Sequence, residues 1–343
     1  MVAKHDVPGM AAAIVEGGST TALGAAGVRA RGSKEPVLPG DRFHLGSCTK
    51  AMTATLCAML VEEKRLAWDA PASRALDDPS KADAGWKGAT LEHLLTMRAG
   101  APESLDADGL WMRLWMRQGR PEEQRGELAR GVLGRPPVHP PGSATLYANA
   151  SYALAGVLAE RAVGRPFEDL LRERLFAPLG MASAGFGAPG SADAIDEPRG
   201  HDGEGKPVPP GPLADNPPGI APAGTVHASL GDWAKFAALH LEAARGKPRL
   251  LKEETFRRLH AAAGKRRGDG YAMGWAVGAR PELGPILEHA GSNTMWYSLV
   301  RIAPEKGFAV LVACNQAARG DEACADAADL LARRVIEERK AGR

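Results

Sequence analysis

The stretch Leu45-Gly46-Ser47-Cys48-Thr49-Lys50 opens the segment around which the rest of the chain is organised. After Lys50, as far as about Glu62, almost every residue is small or apolar on every side of a helix. A surface helix carries one apolar stripe, whereas a helix that is apolar all round is normally buried inside a protein. The pattern therefore predicts a buried helix from Ser47 to about Glu62, in the core of the fold.

Two polar residues, Ser47 and Lys50, stand at the start of this helix. Their spacing places both side chains on one face, one turn apart. Burial disfavours the charged form of a lysine, so we expect the pKa of Lys50 to fall and its amine to act as a neutral base. A serine beside such a base is an activated nucleophile, and a helix N-terminus favours the negative charge of an oxyanion. The alternative is an N-cap serine followed by a lysine that turns back to solvent. Further motifs are needed to decide between the catalytic and the structural interpretation.

The composition limits the class of protein. The chain has 343 residues, enough for one large domain or two interleaved ones. Its hydrophobic content of 44% and charged content of 24% are those of an ordinary globular protein. A formal net charge of +2, with no basic run interleaved with aromatics, argues against nucleic acid as a partner. No apolar stretch reaches membrane-spanning length, and nothing in the sequence indicates an oligomeric state.

The N-terminus and the cysteines bear on the compartment. Residues 1–6 have no hydrophobic signal region, so we expect a cytoplasmic protein as the chain stands, or a periplasmic one if a leader has been removed. Cysteines occur at positions 48, 57, 314 and 324, without a C-x-x-C pair. We therefore expect buried free thiols rather than a disulfide framework.

Two alternative kinds of site are disfavoured by spacing. Cys48 is next to Ser47, but it lies about 100° away from it round the helix and is expected on a different face. The nine histidines show no H-E-x-x-H or similar metal-ligand spacing. We predict no metal and no cofactor.

The remaining periodicity predicts strands at both ends of the chain and helices between them. Residues 9–16 and 20–29 are typical of a β-hairpin split by Gly17-Gly18-Ser19. Further strands are predicted at Tyr271–Val277, Pro285–His289, Met295–Ile302 and Phe308–Ala313. Further helices are predicted at Thr90–Met97, Gly109–Gln118, Pro121–Val132, Ala150–Ala162, Phe167–Leu175, Leu230–Ala244, Lys252–Ala262 and Asp321–Arg339.

This order of elements predicts an α+β fold, in which one antiparallel sheet is flanked by helices and a mostly helical region is inserted. We predict a sheet domain built from residues 1–66 and 268–343, and a mostly helical domain from residues 67–267. The helical domain includes a Pro/Gly-rich loop at 185–222, a length typical of a functional lid or a mobile insertion. The Ser47 helix is expected in the seam between the two domains, where ligand sites tend to lie.

A second motif, Tyr147-Ala148-Asn149, opens the apolar helix predicted at 150–162. One interpretation is structural, with Asn149 as a helix cap and Tyr147 half-buried. The other is a catalytic tyrosine whose pKa is lowered by a nearby cation, which Lys50 can supply if the two side chains meet.

A third motif, His289-Ala290-Gly291, ends one predicted strand and leads to another. Beside a strand, Gly291-Ser292 can present a backbone N–H to a bound carbonyl. H-x-G alone is a weak signal, because His44-Leu-Gly46 and His201-Asp-Gly203 match it too. For His44 and His201 we expect a loop or a partly buried histidine.

The ordered triple of Ser47-x-x-Lys50, Tyr147-x-Asn149 and His289-x-Gly291 resembles that of the class C β-lactamase-like serine hydrolases. This superfamily contains class C β-lactamases, D-alanyl-D-alanine carboxypeptidases and family VIII esterases. Surrounding segments are similar too, over nearly the whole chain: Val7-Pro-Gly9, Phe43-His-Leu-Gly-Ser47, Thr90-Leu-Glu-His-Leu-Leu95, Pro141-Gly142, Ala223-Gly224 and His289-Ala-Gly-Ser-Asn293. The resemblance implies a β-lactamase/transpeptidase-like fold and a small ester, amide or β-lactam substrate.

The resemblance also implies a role for each residue of the motifs. Ser47 is the acylated nucleophile and Lys50 its base, although the identity of the base is disputed in such enzymes. Tyr147 passes the proton to the leaving group and later activates water. Asn149 binds the acyl side chain of the substrate. The third motif and the residue after it supply the substrate-binding residues His289, Gly291 and Ser292. The backbone N–H groups of Ser47 and Ser292 form the oxyanion hole.

One departure from the family pattern bears on the substrate. The β-lactamases usually carry Lys-Thr-Gly where this chain has His289-Ala290-Gly291, so Ala290 offers no hydroxyl to a substrate carboxylate. A hydrogen bond to a charged group is worth about 1.5–3 kcal/mol, roughly ten- to a hundredfold. We therefore predict an esterase-like serine hydrolase with weak or absent β-lactamase activity. The alternatives are a D-amino-acid peptidase or β-lactamase, and a penicillin-binding module that is acylated but hardly turns over.

Overall fold

The computed structural model describes residues 1–116, 119–263 and 270–342. The strands are β1 (Gly9–Glu16), β2 (Ser19–Gly27), β3 (Arg42–His44), β4 (Gly185–Phe186), β5 (Gly200–His201), β6 (Pro207–Val208), β7 (Val226–Ser229), β8 (Gly270–Tyr271), β9 (Ala276–Arg280), β10 (Gly284–Ser292), β11 (Tyr297–Ala303) and β12 (Phe308–Cys314). The α-helices are α1 (Val2–His5), α2 (Thr49–Glu62), α3 (Leu91–Leu95), α4 (Leu110–Met116), α5 (Pro121–Leu133), α6 (Asn149–Val163), α7 (Phe167–Leu171), α8 (Ala177–Leu179), α9 (Ala221–Gly224), α10 (Leu230–Ala244), α11 (Glu253–His260) and α12 (Gly320–Lys340).

Strands from both ends of the chain form one antiparallel sheet of seven strands, in the order β2-β1-β12-β11-β10-β9-β8. The N-terminal hairpin lies beside the last strand, so that Ala13 of β1 pairs with Leu311 of β12. This arrangement confirms the predicted α+β fold class, an antiparallel sheet flanked by helices.

The centre of the sheet is covered on both faces. All seven residues of β12 are buried, as its unbroken apolar run predicts. Helix α10 packs against β1, β2 and β12, and α12 packs against β11 and β12. The side chains that alternate along β12 enter two separate hydrophobic clusters, Leu311 on the α10 face and Val310 on the α12 face.

Helix α2 is buried as predicted, with every residue from Thr49 to Leu60 inside the protein. It packs against α6 and α9. The predicted start at Ser47 is wrong, however, because residues Gly46–Cys48 form a 3-10 turn and α2 begins at Thr49. Gly46 has a φ of +50°, which glycine adopts readily, and this turns the chain from β3 into α2 within a few residues. Ser47 therefore lies on the turn itself.

The single strand predicted at Tyr271–Val277 is also wrong. Strand β8 ends at Tyr271 and β9 begins only at Ala276. Between them Gly274 has a φ of +83°, and a Cβ there would lie 2.4 Å from the Cα of Ala51 in α2. The chain leaves the sheet at this glycine to pack against the buried helix.

A second, small sheet holds the segment that precedes Ser47. Strands β3 and β7, which the sequence analysis did not predict, pair with each other, and β4 pairs with β7. The N–H of Leu45 donates to the carbonyl oxygen of Val226 at 2.8 Å. The predicted loop at 185–222 is not structureless throughout, because it contains β4, β5 and β6 and leads into α9.

The other predicted helices are found, with ends that differ by a few residues. The predicted helix end at Gln118 and the predicted domain boundary at 267/268 lie outside the described residues, as does residue 343. The division of the chain into two domains at residues 66 and 267 stays a prediction. Helix α10, which this division assigns to the helical domain, packs on the sheet. No helix in the described part of the chain has the length and apolar character that a membrane span requires.

Candidate active site

Ser47 is partly exposed on the turn between β3 and α2. The neighbouring Cys48 is buried, and burial raises the pKa of its thiol to about 12. The Cys48 Sγ points into the protein, 3.4 Å from the carbonyl oxygen of His289. Of these two adjacent nucleophile candidates, Ser47 is the accessible one.

The side-chain nitrogen of Lys50 is completely buried and surrounded by acceptors. Nζ lies 2.9 Å from Oγ of Ser47. It lies 2.8 Å from Oδ1 of Asn149 and 2.8 Å from the carbonyl oxygen of Ala223. Burial lowers the pKa of Lys50 to about 7, because water no longer solvates the charged form. A neutral amine can donate to Asn149 and Ala223 and still accept the hydroxyl proton of Ser47. Because Lys50 is buried, the alternative of a lysine turned to solvent is wrong.

Asn149 is the first residue of α6, and its amide faces Lys50. The helix is capped by Ala148, with no side-chain hydrogen bond at the cap. The interpretation of Asn149 as a simple helix cap is therefore wrong. Because its Oδ1 accepts from Lys50, the amide hydrogens of Asn149 remain for a bound molecule.

Tyr147 lies against the same lysine. Lys50 Nζ is 4.8 Å from the centroid of the Tyr147 ring. Removal from water raises the pKa of Tyr147, and the hydrogen bond between its hydroxyl and Ser47 offsets this only in part. The expectation that Lys50 lowers the pKa of Tyr147 is therefore wrong. Because its pKa is raised, Tyr147 keeps its proton at neutral pH. The residue as a whole is 40% exposed, so a substrate can reach it.

His289 lies on β10 with an uncharged ring. Its Nδ1 is 2.6 Å from the carbonyl oxygen of Ala290, and its Nε2 is 3.2 Å from the hydroxyl of Tyr271. These partners fit a neutral ring in which Nδ1–H donates and Nε2 accepts from Tyr271. Burial, and then the nearby Lys50, lower the pKa of His289 to about 3. Tyr271 packs edge-on against Tyr147, with 5.9 Å between ring centroids. Tyr271 was not predicted as a site residue, because no local motif marks it.

Strand β10 approaches the Ser47 turn so closely that both need a glycine. A Cβ at Gly291 would lie 2.0 Å from the carbonyl oxygen of Leu45 and 2.8 Å from the nitrogen of Ser47. A Cβ at Gly46 would lie 2.3 Å from the nitrogen of Ser292. The close approach brings the backbone nitrogens of Ser47 and Ser292 together, and two neighbouring N–H groups are what an oxyanion hole consists of.

A buried histidine paired with a partly buried aspartate supports the same turn. Nε2 of His44 lies 2.7 Å from Oδ1 of Asp215, and its Nδ1 accepts from the N–H of Gly46 at 3.1 Å. The ring stacks on Trp296 with 5.8 Å between centroids. The expectation of a loop or partly buried residue was wrong for His44, which is fully buried in β3, and for His201, which is fully buried in β5. Strand β3 pairs with the distant strand β7, whereas β5 pairs with the nearby β6. The ring of His201 is buried against a distant segment, with Nδ1 2.6 Å from the carbonyl oxygen of Asn315. The H-x-G pattern shows neither of these contacts.

The structure brings all the predicted site residues to one place: Ser47, Lys50, Tyr147, Asn149, His289, Gly291 and Ser292. An accessible hydroxyl, a buried amine, a phenol and two backbone N–H groups converge there, a set suited to acyl transfer. Within residues 1–116, 119–263 and 270–342, no group of three or more His, Cys, Asp or Glu side chains is placed to hold a metal ion.

Comparison with known proteins places the chain in one family. The family model described as Beta-lactamase matches residues 1–333. An unguisins hydrolase from Aspergillus campestris is 26% identical over 328 residues, which cover 91% of this chain and 59% of that protein. The chain thus spans less than two thirds of that relative. The esterase EstB of Burkholderia gladioli is 31% identical over 296 residues, which cover 78% of this chain and 75% of the esterase.

A solved structure has the same fold. The octameric penicillin-binding protein homologue from Pyrococcus abyssi superposes with a TM-score of 0.76 at 24% identity. The superposition covers 92% of this chain and 71% of that chain. At this identity the likeness concerns the fold alone.

Proposed function

The chain belongs to the Beta-lactamase family of serine hydrolases, and on that basis we propose that it hydrolyses carboxylic esters through an acyl-enzyme on Ser47. The observation that carries the proposal is the contact of 2.9 Å between Nζ of Lys50 and Oγ of Ser47. It joins an accessible hydroxyl to a buried amine whose pKa, about 7, makes it a base at neutral pH.

In acylation, the neutral amine of Lys50 takes the hydroxyl proton of Ser47 while Oγ attacks the ester carbonyl carbon. The carbonyl oxygen becomes an oxyanion, to which the backbone N–H groups of Ser47 and Ser292 donate hydrogen bonds. As the bond to the alcohol breaks, Tyr147 gives its proton to the departing alkoxide and takes one from Lys50. The proton removed from Ser47 thus leaves with the alcohol.

In deacylation, water attacks the acyl group on Ser47, and Tyr147 passes a proton from the water to Lys50. Tyr147 suits this relay because its raised pKa keeps it a phenol that gains one proton as it loses another. The bond to Ser47 then breaks, Lys50 returns the proton to Oγ, and the carboxylic acid leaves. Throughout, the amide hydrogens of Asn149 bind the acyl part of the substrate.

The surroundings of the third motif favour an uncharged ester. His289 is neutral because its pKa is about 3, and Ala290 has no hydroxyl. The neutral His289 therefore offers a β-lactam carboxylate no cation, and Ala290 offers it no hydrogen bond. A hydrogen bond to a charged group is worth about 1.5–3 kcal/mol. The similarity to the esterase of Burkholderia gladioli supports the same substrate class.

Steady-state kinetics with two chromogenic substrates test the proposal. We expect kcat/KM for p-nitrophenyl acetate to exceed that for a chromogenic cephalosporin at least about tenfold. Both activities should be lost in Ser47→Ala. A cephalosporin rate equal to or above the ester rate would instead support a β-lactamase or D-amino-acid peptidase. Release of one equivalent of p-nitrophenol without turnover would indicate a module that is acylated only.

A further inference from the structure

The fold brings two of the chain's four cysteines into contact near the start of helix α12. Sγ of Cys324 lies 3.8 Å from Sγ of Cys314. Both side chains are fully buried, and both carry free thiols. The two residues are ten positions apart in sequence and form no C-x-x-C motif, so only the folded chain shows their contact.

The packing of α12 on the sheet places the two sulfurs opposite each other. Cys314 is the last residue of β12 and belongs to the hydrophobic cluster on the α12 face of the sheet. The buried residues near the start of α12 recur at spacings of three and four, which puts them on the helix face that meets the sheet: Gly320, Ala323, Cys324, Ala327 and Ala328. The contact therefore joins core side chains of two regular elements, whose positions are fixed by the fold.

Helix α12 lies close enough to the sheet for the two sulfurs to bond. A Cβ at Gly320 would lie 2.9 Å from Sγ of Cys314 and 2.5 Å from Cβ of Tyr297 in β11. Sγ of Cys324 lies 3.9 Å from the carbonyl oxygen of Tyr297. A disulfide bond has a sulfur–sulfur distance of about 2.05 Å, so each sulfur has to move by about 0.9 Å. Rotation by about 30° about each Cα–Cβ bond gives a shift of that size.

The other two cysteines lie on the opposite side of the sheet. Cys48 and Cys57 belong to the hydrophobic cluster on the α10 face, whereas the close pair belongs to the cluster on the α12 face. Sγ of Cys48 contacts the carbonyl oxygen of His289 on β10, and Sγ of Cys57 contacts that of Ala155 on α6. These two thiols therefore face neither each other nor the close pair.

We infer that Cys314 and Cys324 form a disulfide bond when the chain folds in an oxidising medium, and that this bond fastens α12 to the sheet. Cys314 pairs with Tyr297 of β11, and Tyr297 pairs with Ser292 of β10. The bond therefore lies at the end of the sheet that carries the candidate active site, two strands away from Ser292. The inference concerns the folded framework and does not depend on the proposed esterase function.

Thiol–disulfide exchange with oxidised glutathione supplies the oxidant. The thiolate of one cysteine attacks a sulfur of oxidised glutathione, which forms a mixed disulfide and releases one glutathione thiolate. The thiolate of the second cysteine then attacks the protein sulfur of the mixed disulfide and releases the second glutathione. The two cysteines lose two protons and two electrons, and one oxidised glutathione becomes two reduced ones. Because both thiols are buried once α12 has docked, the exchange takes place during folding.

Refolding from denaturant tests the inference. The wild type is reduced and unfolded, and is then refolded either with a mixture of reduced and oxidised glutathione or with dithiothreitol. After oxidative refolding we expect two free thiols per chain in place of four, and non-reducing peptide mapping should show Cys314 joined to Cys324. The oxidised protein should unfold at least about 2 °C above the reduced protein, because the disulfide restricts the unfolded chain.

Two variants are matched controls. Cys324→Ala removes one member of the pair and should keep three free thiols, with the same unfolding temperature after either refolding. Cys57→Ala removes a buried thiol on the other face of the sheet and should still form the disulfide, with one free thiol left.

The wild-type thiol count and peptide map decide the matter even if a variant does not fold. Four free thiols after oxidative refolding, a glutathione adduct in place of the internal bond, or a disulfide that includes Cys48 or Cys57 would overturn the inference. Equal unfolding temperatures of the oxidised and reduced wild type would overturn it too, because the bond would then fasten nothing.

Discussion

Nε2 of His44 lies 2.7 Å from Oδ1 of Asp215, directly behind the turn that carries Ser47. The other nitrogen of the same ring accepts from the N–H of Gly46, whose φ is +50°. Two segments 171 residues apart in sequence thereby hold the backbone next to the proposed nucleophile. His44 and Asp215 touch no reacting atom, so we regard them as positioning residues.

Substitution at Asp215 tests this role. Asp215→Ala is expected to lower the free energy of unfolding by about 1–3 kcal/mol, because the buried Nε2–H of His44 loses its acceptor. It should also lower kcat, because Gly46 and the N–H of Ser47 are held less firmly. Asp215→Asn keeps an acceptor oxygen and should restore most of both. Thermal unfolding and ester kinetics measure the two effects, and equal losses of kcat in the Ala and Asn variants would argue against positioning.

The buried amine of Lys50 predicts a pH dependence. The protonated amine cannot accept the Ser47 proton, so kcat/KM should rise as the pH increases through about 7. Lys50→Ala should lose about 10²–10⁴-fold in rate and keep its fold, since the rest of α2 is held by apolar contacts. The test is a pH–rate profile together with circular dichroism. A profile that is flat across neutral pH, or wild-type kcat in Lys50→Ala, would make Lys50 structural and Tyr147 the better candidate for the base.

The close approach of β10 to the turn predicts that Gly291 cannot be replaced. In Gly291→Ala the added Cβ meets backbone atoms of Leu45 and Ser47, so the two backbones that form the oxyanion hole must separate. We expect kcat to fall by about 10²–10³-fold, as on loss of an oxyanion-hole donor. Gly203→Ala is the control, because a Cβ there meets nothing within 4 Å. Comparable kcat values in the two variants would show that the approach has no catalytic role.

The third motif predicts how substrate preference can be shifted. The double variant His289→Lys with Ala290→Thr supplies the cation and the hydroxyl that the wild type lacks. It should raise the ratio of cephalosporin to ester kcat/KM by about ten- to a hundredfold, the worth of one hydrogen bond to a charged group. The single variant Ala290→Val, similar in size to threonine but without the hydroxyl, controls for shape. The same shift in Ala290→Val as in the double variant would show that charge recognition is not the cause.

The fold was largely predictable because its central elements carry unambiguous patterns. The apolar run of β12, the hairpin around Gly17-Gly18 and the wholly apolar α2 each have a periodicity that fits one kind of buried element. The break between β8 and β9 was not predictable from periodicity. It follows from the contact of Gly274 with Ala51, which depends on tertiary packing.

The candidate site was predictable as far as its residues stand in local motifs. Ser47 with Lys50, and Tyr147 with Asn149, are neighbours along the chain, so their spacing could be read directly. His44 with Asp215, and Tyr271 with His289, are brought together only by the fold. The pKa of Tyr147 was predicted with the wrong sign because the sequence shows the nearby cation and not the loss of water around the hydroxyl.

Covalent labelling with a serine-directed alkyl phosphonate, followed by intact-mass analysis and peptide mapping, identifies the nucleophile directly. We expect one label per chain, located on Ser47, with loss of esterase activity in proportion to labelling. We expect no label in Ser47→Ala and slow labelling in Lys50→Ala, because the nucleophile then lacks its base. A label on Cys48, or a label that persists in Ser47→Ala, would contradict the assignment of Ser47 as the nucleophile.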